Sequence, residues 1–470
     1  MGYDTKFSSN AREQLEQFLG IFYTRFSKPR LKFLRQMLYG IQITKSVILN
    51  RIAAEIDEKI KLVKIEMRLS HHLAFKDLWK NIHDAVMEHA KKFVRKSTLI
   101  VIDPSDVQKP YAKKMQYLAK VWDGSKGKVG DNLGYWGCMA VACEPGKRRG
   151  VVPLQFRLWS TDDPEYKGEN AEIEAIIESI RKEVYSRGIY VYDRGGDRNE
   201  IFRYFISCGL DFIVRMMQKR YLMYKGVREQ ILVLAAKCHT PHTSVVAFNA
   251  SGEEKDTTIH YGAIPVRLPE DPAFPGMHEK DLRLVVVRGF GQCAMLILTT
   301  LQGDGSKEDV WRVVQGYLTR WRVEETIRFV KQSYRVEDMR SLTLTRLRNL
   351  AALVLAVAYF VMVWIGKSER REVLRTHIVE TARRIYGAPE FKRKFGFLLY
   401  FAKITPPPNK YGHISSRFSG MDLGEIRRLR SVTHYPPPST KANSSCGDGF
   451  ASTFLRSSFA FHFPNRVKSF

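Results

Sequence analysis

The run Thr98-Leu99-Ile100-Val101-Ile102-Asp103-Pro104 is the point from which the architecture can be read. Its apolar, largely β-branched residues predict a strand that delivers Asp103 at its carboxyl end and is expected to stop at Pro104. A second run of the same kind, Gly188-Ile189-Tyr190-Val191-Tyr192, delivers Asp193 in the same way. Between the two, the pattern predicts strands over 136–142 and 151–159 and a helix over 170–185. A helix over 199–208 and a strand over 211–216 follow.

Three strands, helix, strand, helix, strand, with acids at two strand ends, is an α/β arrangement that resembles an RNase H-like sheet. Residues 97–216 are its first part. Residues 217–301 are rich in Val, Thr and Ile with Gly, Pro and Asn breaks, and read as a β-rich insertion. Residues 302–366 return to the core with a long helix over 307–334. Residues 1–96 are helical and basic. Lys28-Pro29-Arg30 opens a helix through Leu38, Gly40 is expected to break it, and Thr44 or Ser46 can cap a second helix over 47–56. That pair suits a helix-turn-helix DNA reader, with Lys45 and Arg51 as contacts, and equally a plain helical hairpin. The apolar run 350–366 is short for a membrane span and reads as a buried core helix. A helical region over 367–404 precedes a low-order tail, 405–470, marked by two triple prolines.

Within the 307–334 helix, Tyr317, Arg320, Glu324 and Lys331 fall inside an arc of roughly 60° on one face. One carboxylate there stands among three groups suited to phosphate: a guanidinium, an ammonium and a phenol. The bland reading is a solvated charged face. Glu325 points about 100° away and reads as solvent-facing. Asp103, Asp193 and Glu324 form the carboxylate group to bet on as catalytic. Three converging carboxylates repel one another unless a cation neutralises them, so they imply a divalent metal. All-oxygen ligands select Mg²⁺ or Mn²⁺ over zinc. Two ions roughly 3.5–4 Å apart suit an in-line phosphoryl displacement.

Competing assignments stand beside these. Asp106 ranks below Asp103 because the apolar run ends at Asp103. Asp193 and Asp197 are both candidates to cap the following helix, and Asp197 fits that role better. Arg215 and Arg220, at the start of the insertion, are candidate DNA-backbone clamps. Cys238, His239 and His242 have a metal-like look but lack a second ligand pair, so no zinc site is expected. No Gly-x4-Gly-Lys-Ser/Thr loop occurs, so no nucleotide cofactor is expected.

The chain has 470 residues, with 76 Lys and Arg against 49 Asp and Glu, a net charge of +27. Such an excess on a chain with a substantial core points to a polyanionic partner, most often nucleic acid. Six cysteines without a CxxC pair favour a reducing, cytosolic setting, and the N-terminus lacks a signal-peptide pattern.

Asp103 in Ile-Asp-Pro-Ser, Asp-Arg-Gly-Gly-Asp at 193–197 and the spaced Tyr317, Arg320, Glu324 and Lys331 together resemble the bacterial DDE transposases of the insertion-sequence-four class. The resemblance covers roughly residues 30 to 365. It implies an RNase H-like core in which Asp103, Asp193 and Glu324 hold two Mg²⁺ ions. It also implies that Tyr317, Arg320 and Lys331 bind the DNA backbone near the scissile phosphate. The implied reaction is cut-and-paste: nicking at the transposon end, a hairpin, its reopening, and 3′-OH attack on target DNA. The implied partners are double-stranded DNA, as terminal inverted repeats and target, and a second copy of the chain on paired ends. The implied location is the cytoplasm, at the bacterial nucleoid. A structure-selective nuclease on the same fold and an inactive DNA-binding remnant are the rival readings. One departure concerns the insertion's last strand, where some relatives carry a tryptophan that stacks on a flipped base. Met295 falls nearest that place here, with Trp321 and Trp311 as other aromatic candidates.

Overall fold

A computed structural model describes residues 13–109, 112–123, 128–146, 150–250 and 253–365. The readings placed on 367–404 and 405–470, and the side chain of Glu325, lie outside the described residues.

The central sheet has ten strands in the order β2-β3-β1-β5-β6-β12-β11-β10-β9, with β4 paired to β3. Its heart is β1 (Leu99–Gln108), β5 (Ile189–Tyr192) and β6 (Asp211–Arg215). These three are mutually parallel, and every other pairing in the sheet is antiparallel. Residues Leu99–Ile102 and all of β5 are buried, as expected of parallel strands covered on both faces. Beside them lie β2 (Ala119–Asp123), β3 (Lys128–Cys143) and β4 (Val152–Trp159). Pro104 does not end β1, which runs on to Gln108 paired with β3. β5 has stopped by then, and a strand paired on one side only tolerates a residue without an N–H.

Helices cover both faces. The even-numbered residues Tyr190 and Phe212 meet Phe205 and Phe202, with ring centroids 5.6 and 5.4 Å apart, on α6 (Asn199–Ser207). The odd-numbered residues Leu99 and Ile213 meet Gly316 on α8 (Lys307–Ser333). Helix α5 (Glu169–Val184) connects β4 to β5, and Tyr185 follows it in the left-handed region.

The N-terminal helices are α1 (Lys28–Thr44), α2 (Leu49–Ala54), α3 (Leu62–Leu73) and α4 (Leu78–Ala90). Gly40 does not break α1. A Cβ there would stand 2.4 Å from Ile52 Cγ2, so the glycine is where α2 presses on α1. Lys45, left-handed at φ 50°, ends α1 and donates to Gln42 O. The Ser46 hydroxyl accepts from Ile48 N at 3.3 Å, ahead of a shorter α2 than expected. Arg51 is exposed on α2.

The 217–301 segment continues the main sheet. β12 (Met295–Thr299) pairs with β6, and β11 (Leu282–Arg288), β10 (Glu253–Val266) and β9 (His242–Ala250) follow outward. β7 (Tyr221–Tyr224) and β8 (Val227–Gln230) make a separate hairpin, followed by α7 (Ile231–Lys237). Helix α9 (Leu344–Tyr359) continues into a π-turn at Phe360–Trp364. The stretch is long and apolar enough to cross a membrane, yet 78% of its most apolar window is buried inside the protein, against β4, α4 and α1. Its buried Asn349 donates to Leu73 O and Phe75 O and accepts from Trp79 N, each at 2.8 Å. That tie fastens the N-terminal helices onto the sheet, and one apolar cluster runs from Leu15 to Ile365.

Candidate active site

Strand register brings the first two acids together. Val101 lies opposite Val191 in the parallel β1–β5 pair, so Asp103 and Asp193, each two residues further on, stand side by side. Tyr192 lies opposite Val214 in the β5–β6 pair, which sets Arg215 beside Asp193. All three share the odd-numbered face with Leu99 and Ile213, because side chains on a strand alternate.

Helix α8 supplies the rest. A Cβ on Gly316 would stand 2.7 Å from Ile213 Cδ1 and 3.5 Å from Leu99 Cδ2, so the helix rests on the sheet there. From Gly316 to Glu324 the helix rises about 12 Å, and from Leu99 to Asp103 the strand rises about 13 Å. The matched distances carry Arg320 and Glu324 to the strand ends. Arg320 Nη1 lies 3.7 Å from Asp103 Oδ1 and donates to Glu324 Oε1. The guanidinium is buried, its Nε has no hydrogen-bond partner, and its Cζ sits 5.5 Å from the Tyr317 ring centroid. Lys331 donates to Ser105 Oγ and, at 3.5 Å, to Asp106 O. Asp193 accepts from Gly195 N at 2.8 Å.

These surroundings are hard on a carboxylate. Burial, then the Glu324 charge, push Asp103 up to about 7, with Asp193 adding to the shift and Arg320 and Lys331 opposing it. Burial pulls Lys331 below the ordinary lysine range, with Asp103 and Asp106 acting the other way. Lys109, which sequence reasoning missed, is buried and donates to Val336 O and Glu337 O at 3.2 and 2.6 Å. Burial pulls it down to about 8, against Glu337 and Asp338. It ties the end of β1 to the segment after α8. A lone lysine between a strand and Pro110 gives no sequence signal of that role.

As the side chains stand, no group of three His, Cys, Asp or Glu among the described residues gathers tightly enough to hold a metal. Arg320 lies between Asp103 and Glu324 and offsets part of their repulsion instead. The donor chemistry nevertheless fits a divalent cation. The Glu324 and Asp193 charges both push the Asp103 carboxyl up, a repulsion a cation would relieve, and Glu324, at 34% exposure, has room to turn from Arg320.

The other candidates divide. Tyr317 is fully buried, with an unpartnered hydroxyl and its ring edge-on to Trp321 at 6.0 Å. Arg215 is half-buried and has no ion pair among the described residues. Arg220 is engaged by the protein itself: Nε lies 3.2 Å from Asp197 Oδ1, and Nη2 donates to Asn199 Oδ1 at 2.6 Å. Asp197 also accepts from Met217 N at 2.7 Å. It does not cap α6, whose first turn has no side-chain cap. Asp106 accepts from Gln108 at 2.7 Å. Met295 is buried in β12, Trp321 packs edge-on to Phe290 and Trp311 lies against Tyr261. Cys238 donates to His239 O, and His242 bonds Gly305 O.

The family model for the transposase DDE domain matches residues 95–361. That span is more than half of the chain and holds all three acids, and the chain belongs to this family. It is therefore a transposase of the DDE kind, a family of nuclease and transposition chemistry whose members generally use a divalent metal. Among solved structures, the piggyBac transposase synaptic complex with hairpin DNA is 12% identical, with 86% of this chain and 82% of that one covered at a TM-score of 0.37. The NurA nuclease from Sulfolobus solfataricus is 10% identical over 56% of this chain and 93% of that one, at 0.23. At these scores neither neighbour informs the reading of this chain. No curated protein matches it.

Proposed function

We propose that the chain cuts DNA at transposon ends and joins the freed 3′-hydroxyl to target DNA, as a cut-and-paste transposase of the insertion-sequence-four class. The observation that carries the reading is the register that sets Asp103 beside Asp193 under the α8 face bearing Arg320 and Glu324. The order β4-β3-β1-β5-β6, with the last three parallel, supports an RNase H-like core.

Asp103, Asp193 and Glu324 are the residues that would hold two Mg²⁺ ions, or Mn²⁺ in their place. The chemistry such ions would supply is activation of a water or a 3′-hydroxyl and neutralisation of charge on the leaving oxygen. Arg320 serves two partners in turn. Without DNA its guanidinium pairs with Glu324 and lies beside Asp103. With DNA bound it turns to the phosphate next to the bond being cut, where its planar fork suits two oxygens at once. Arg215, level with Asp193 on the neighbouring strand, takes the phosphate on the opposite side. Lys331 holds the 105–106 backbone and keeps Asp103 aimed while it faces the bound strand, and the Tyr317 hydroxyl adds a donor. Arg220, engaged by Asp197, holds the fold near the DNA. Two copies pair on the terminal repeats, at the nucleoid.

The test is cleavage and strand transfer on a labelled transposon-end duplex with Mg²⁺, comparing the native chain with Glu324→Gln. Binding by both, with cut and joined products from the native chain alone, is expected. Nicking without joining would replace transposition by a nuclease activity. Binding without chemistry in either protein would mark a DNA-binding remnant.

A further inference from the structure

The β7–β8 hairpin leaves the sheet six residues after Arg215 and forms a sheet of its own, joined to the central one by a single bridge from Met223 to Arg267. Residues 215–237 contain six Lys and Arg against a single Glu. Two of the cations are engaged: Arg220 by Asp197, and Lys237 by Glu229. Lys219, Lys225 and Arg228 are exposed and form no ion pair among the described residues. Arg228 Cζ lies 4.9 Å from the Tyr221 ring centroid, and Lys225 Nζ lies 5.3 Å from that of Tyr224. A cation laid over a ring is held in place without being neutralised.

The two-residue turn Lys225-Gly226 has φ of 51° and 80°, the left-handed geometry that closes a tight hairpin and projects the lysine at its tip. Leu222 is buried beneath, while Tyr221 at 45%, Val227 at 56% and Met217 at 46% remain exposed. Met223 exchanges backbone bonds of 2.8 and 3.0 Å with Arg267 just after β10, and a buried carboxylate ties down the root. Asp197 accepts from Met217 N and pairs with Arg220, and Asp197 lies four residues after Asp193 in the same turn. The hairpin is thus anchored to the loop that carries a proposed catalytic acid.

We infer that this hairpin is a DNA-backbone grip beside the active site, with Lys225 and Arg228 as its phosphate-binding cations and Tyr221 and Tyr224 as their supports. The inference rests on the DNA-transposase reading and adds a binding element to it. Ten residues separate Arg215 from Lys225 and span at most about 35 Å, so the grip takes phosphates of the duplex on the β6 side, about one helical turn of DNA or less from the cut. The partner is DNA because the exposed charged groups of the hairpin without an ion pair are all cationic, and its root is tied to the loop that carries Asp193.

The experiment measures binding of a labelled mixed-sequence linear duplex from about 50 to 200 mM salt, for the native full-length chain and for Lys225→Ala/Arg228→Ala. Each phosphate contact contributes about 0.9 to the slope of log K against log salt. The double variant should therefore show a slope shallower by about 2 and a weaker affinity at the lowest salt, with an unchanged melting temperature. A Tyr221→Phe variant, which keeps the ring, should bind as the native chain does. A double-variant slope equal to the native one would overturn the grip and leave the transposase reading untouched, since the native chain still binds DNA. Absence of salt-dependent binding by the native chain would overturn both.

Discussion

Asp103 is the residue on which the site's chemistry and the protein's stability conflict. Its carboxyl is pushed up to about 7 from an ordinary 3.8, first by burial and then by Glu324. Between those two values the native chain keeps a proton that the unfolded chain has released. Stability therefore falls as pH rises through that window, and the full cost is present above about 7. At about 1.4 kcal/mol per unit the penalty is on the order of 4–5 kcal/mol. Asp103→Asn should remove it, raising the denaturant midpoint above the native one at pH 8 without metal and leaving the two nearly equal near pH 4. A midpoint lowered equally at both pH values would contradict this account. Millimolar Mg²⁺ should stabilise the native chain at pH 8 and do little for the variant, because an ion that binds only the folded state adds stability by mass action. Most residues of this site were legible in the sequence. An acid after an apolar strand and a charged stripe at helical spacing are local patterns. The partners of Arg220 were not, since Asp197, Asn199 and Arg220 meet only once α6 and the hairpin root have folded together.

Helices and strands failed to follow the sequence where one residue permits two opposite structures. Gly40 was expected to break a helix. It lies within one, because the missing side chain lets Ile52 of α2 approach closely. Pro104 was expected to stop β1 and instead lies in its one-sided extension. A glycine or proline shows that the local rule is relaxed, and only the neighbouring element shows why. Gly40→Ala should therefore destabilise the protein although alanine favours helix by about 1 kcal/mol. Its Cβ would meet Ile52 Cγ2 at 2.4 Å and Ile52 Cβ at 3.2 Å, and overpacking of this kind costs roughly 1–3 kcal/mol. Combining Gly40→Ala with Ile52→Ala should recover part of the loss, because the two side chains compete for one space. Thermal melts of the single and double variants measure that coupling. A Gly40→Ala variant as stable as the native chain would place the close approach elsewhere.

Across the whole molecule, composition and element order located the α/β core, while the standing of the 217–301 segment depended on pairings between distant strands. A β-rich composition between two core segments looks the same whether the strands form a satellite or join the sheet. Here Thr299, Leu298 and Ile297 of β12 pair with Ile213, Val214 and Arg215 of β6, so the segment closes the edge of the strand beside the acid row. Residues Phe212–Val214 of β6 are fully buried. Without β12 they would form an open, apolar edge, the kind that pairs with other chains and aggregates. Excising 217–301 and bridging the gap with a flexible linker should therefore abolish soluble monomer, as read by size-exclusion chromatography and by loss of the cooperative thermal transition. A second deletion that removes only 221–230 takes away the β7–β8 hairpin and keeps the β6–β12 pairing. It exposes the surface around buried Leu222 and should lower the melting temperature while leaving a soluble, cooperatively folding chain. If the larger deletion also folded cooperatively, β6 would be stable as an edge strand and the central sheet would not need the inserted strands. The expected contrast follows from where the hydrogen bonds go: the hairpin bonds mainly to itself, whereas β12 completes the ladder on which Arg215 and, one strand further in, Asp193 are held.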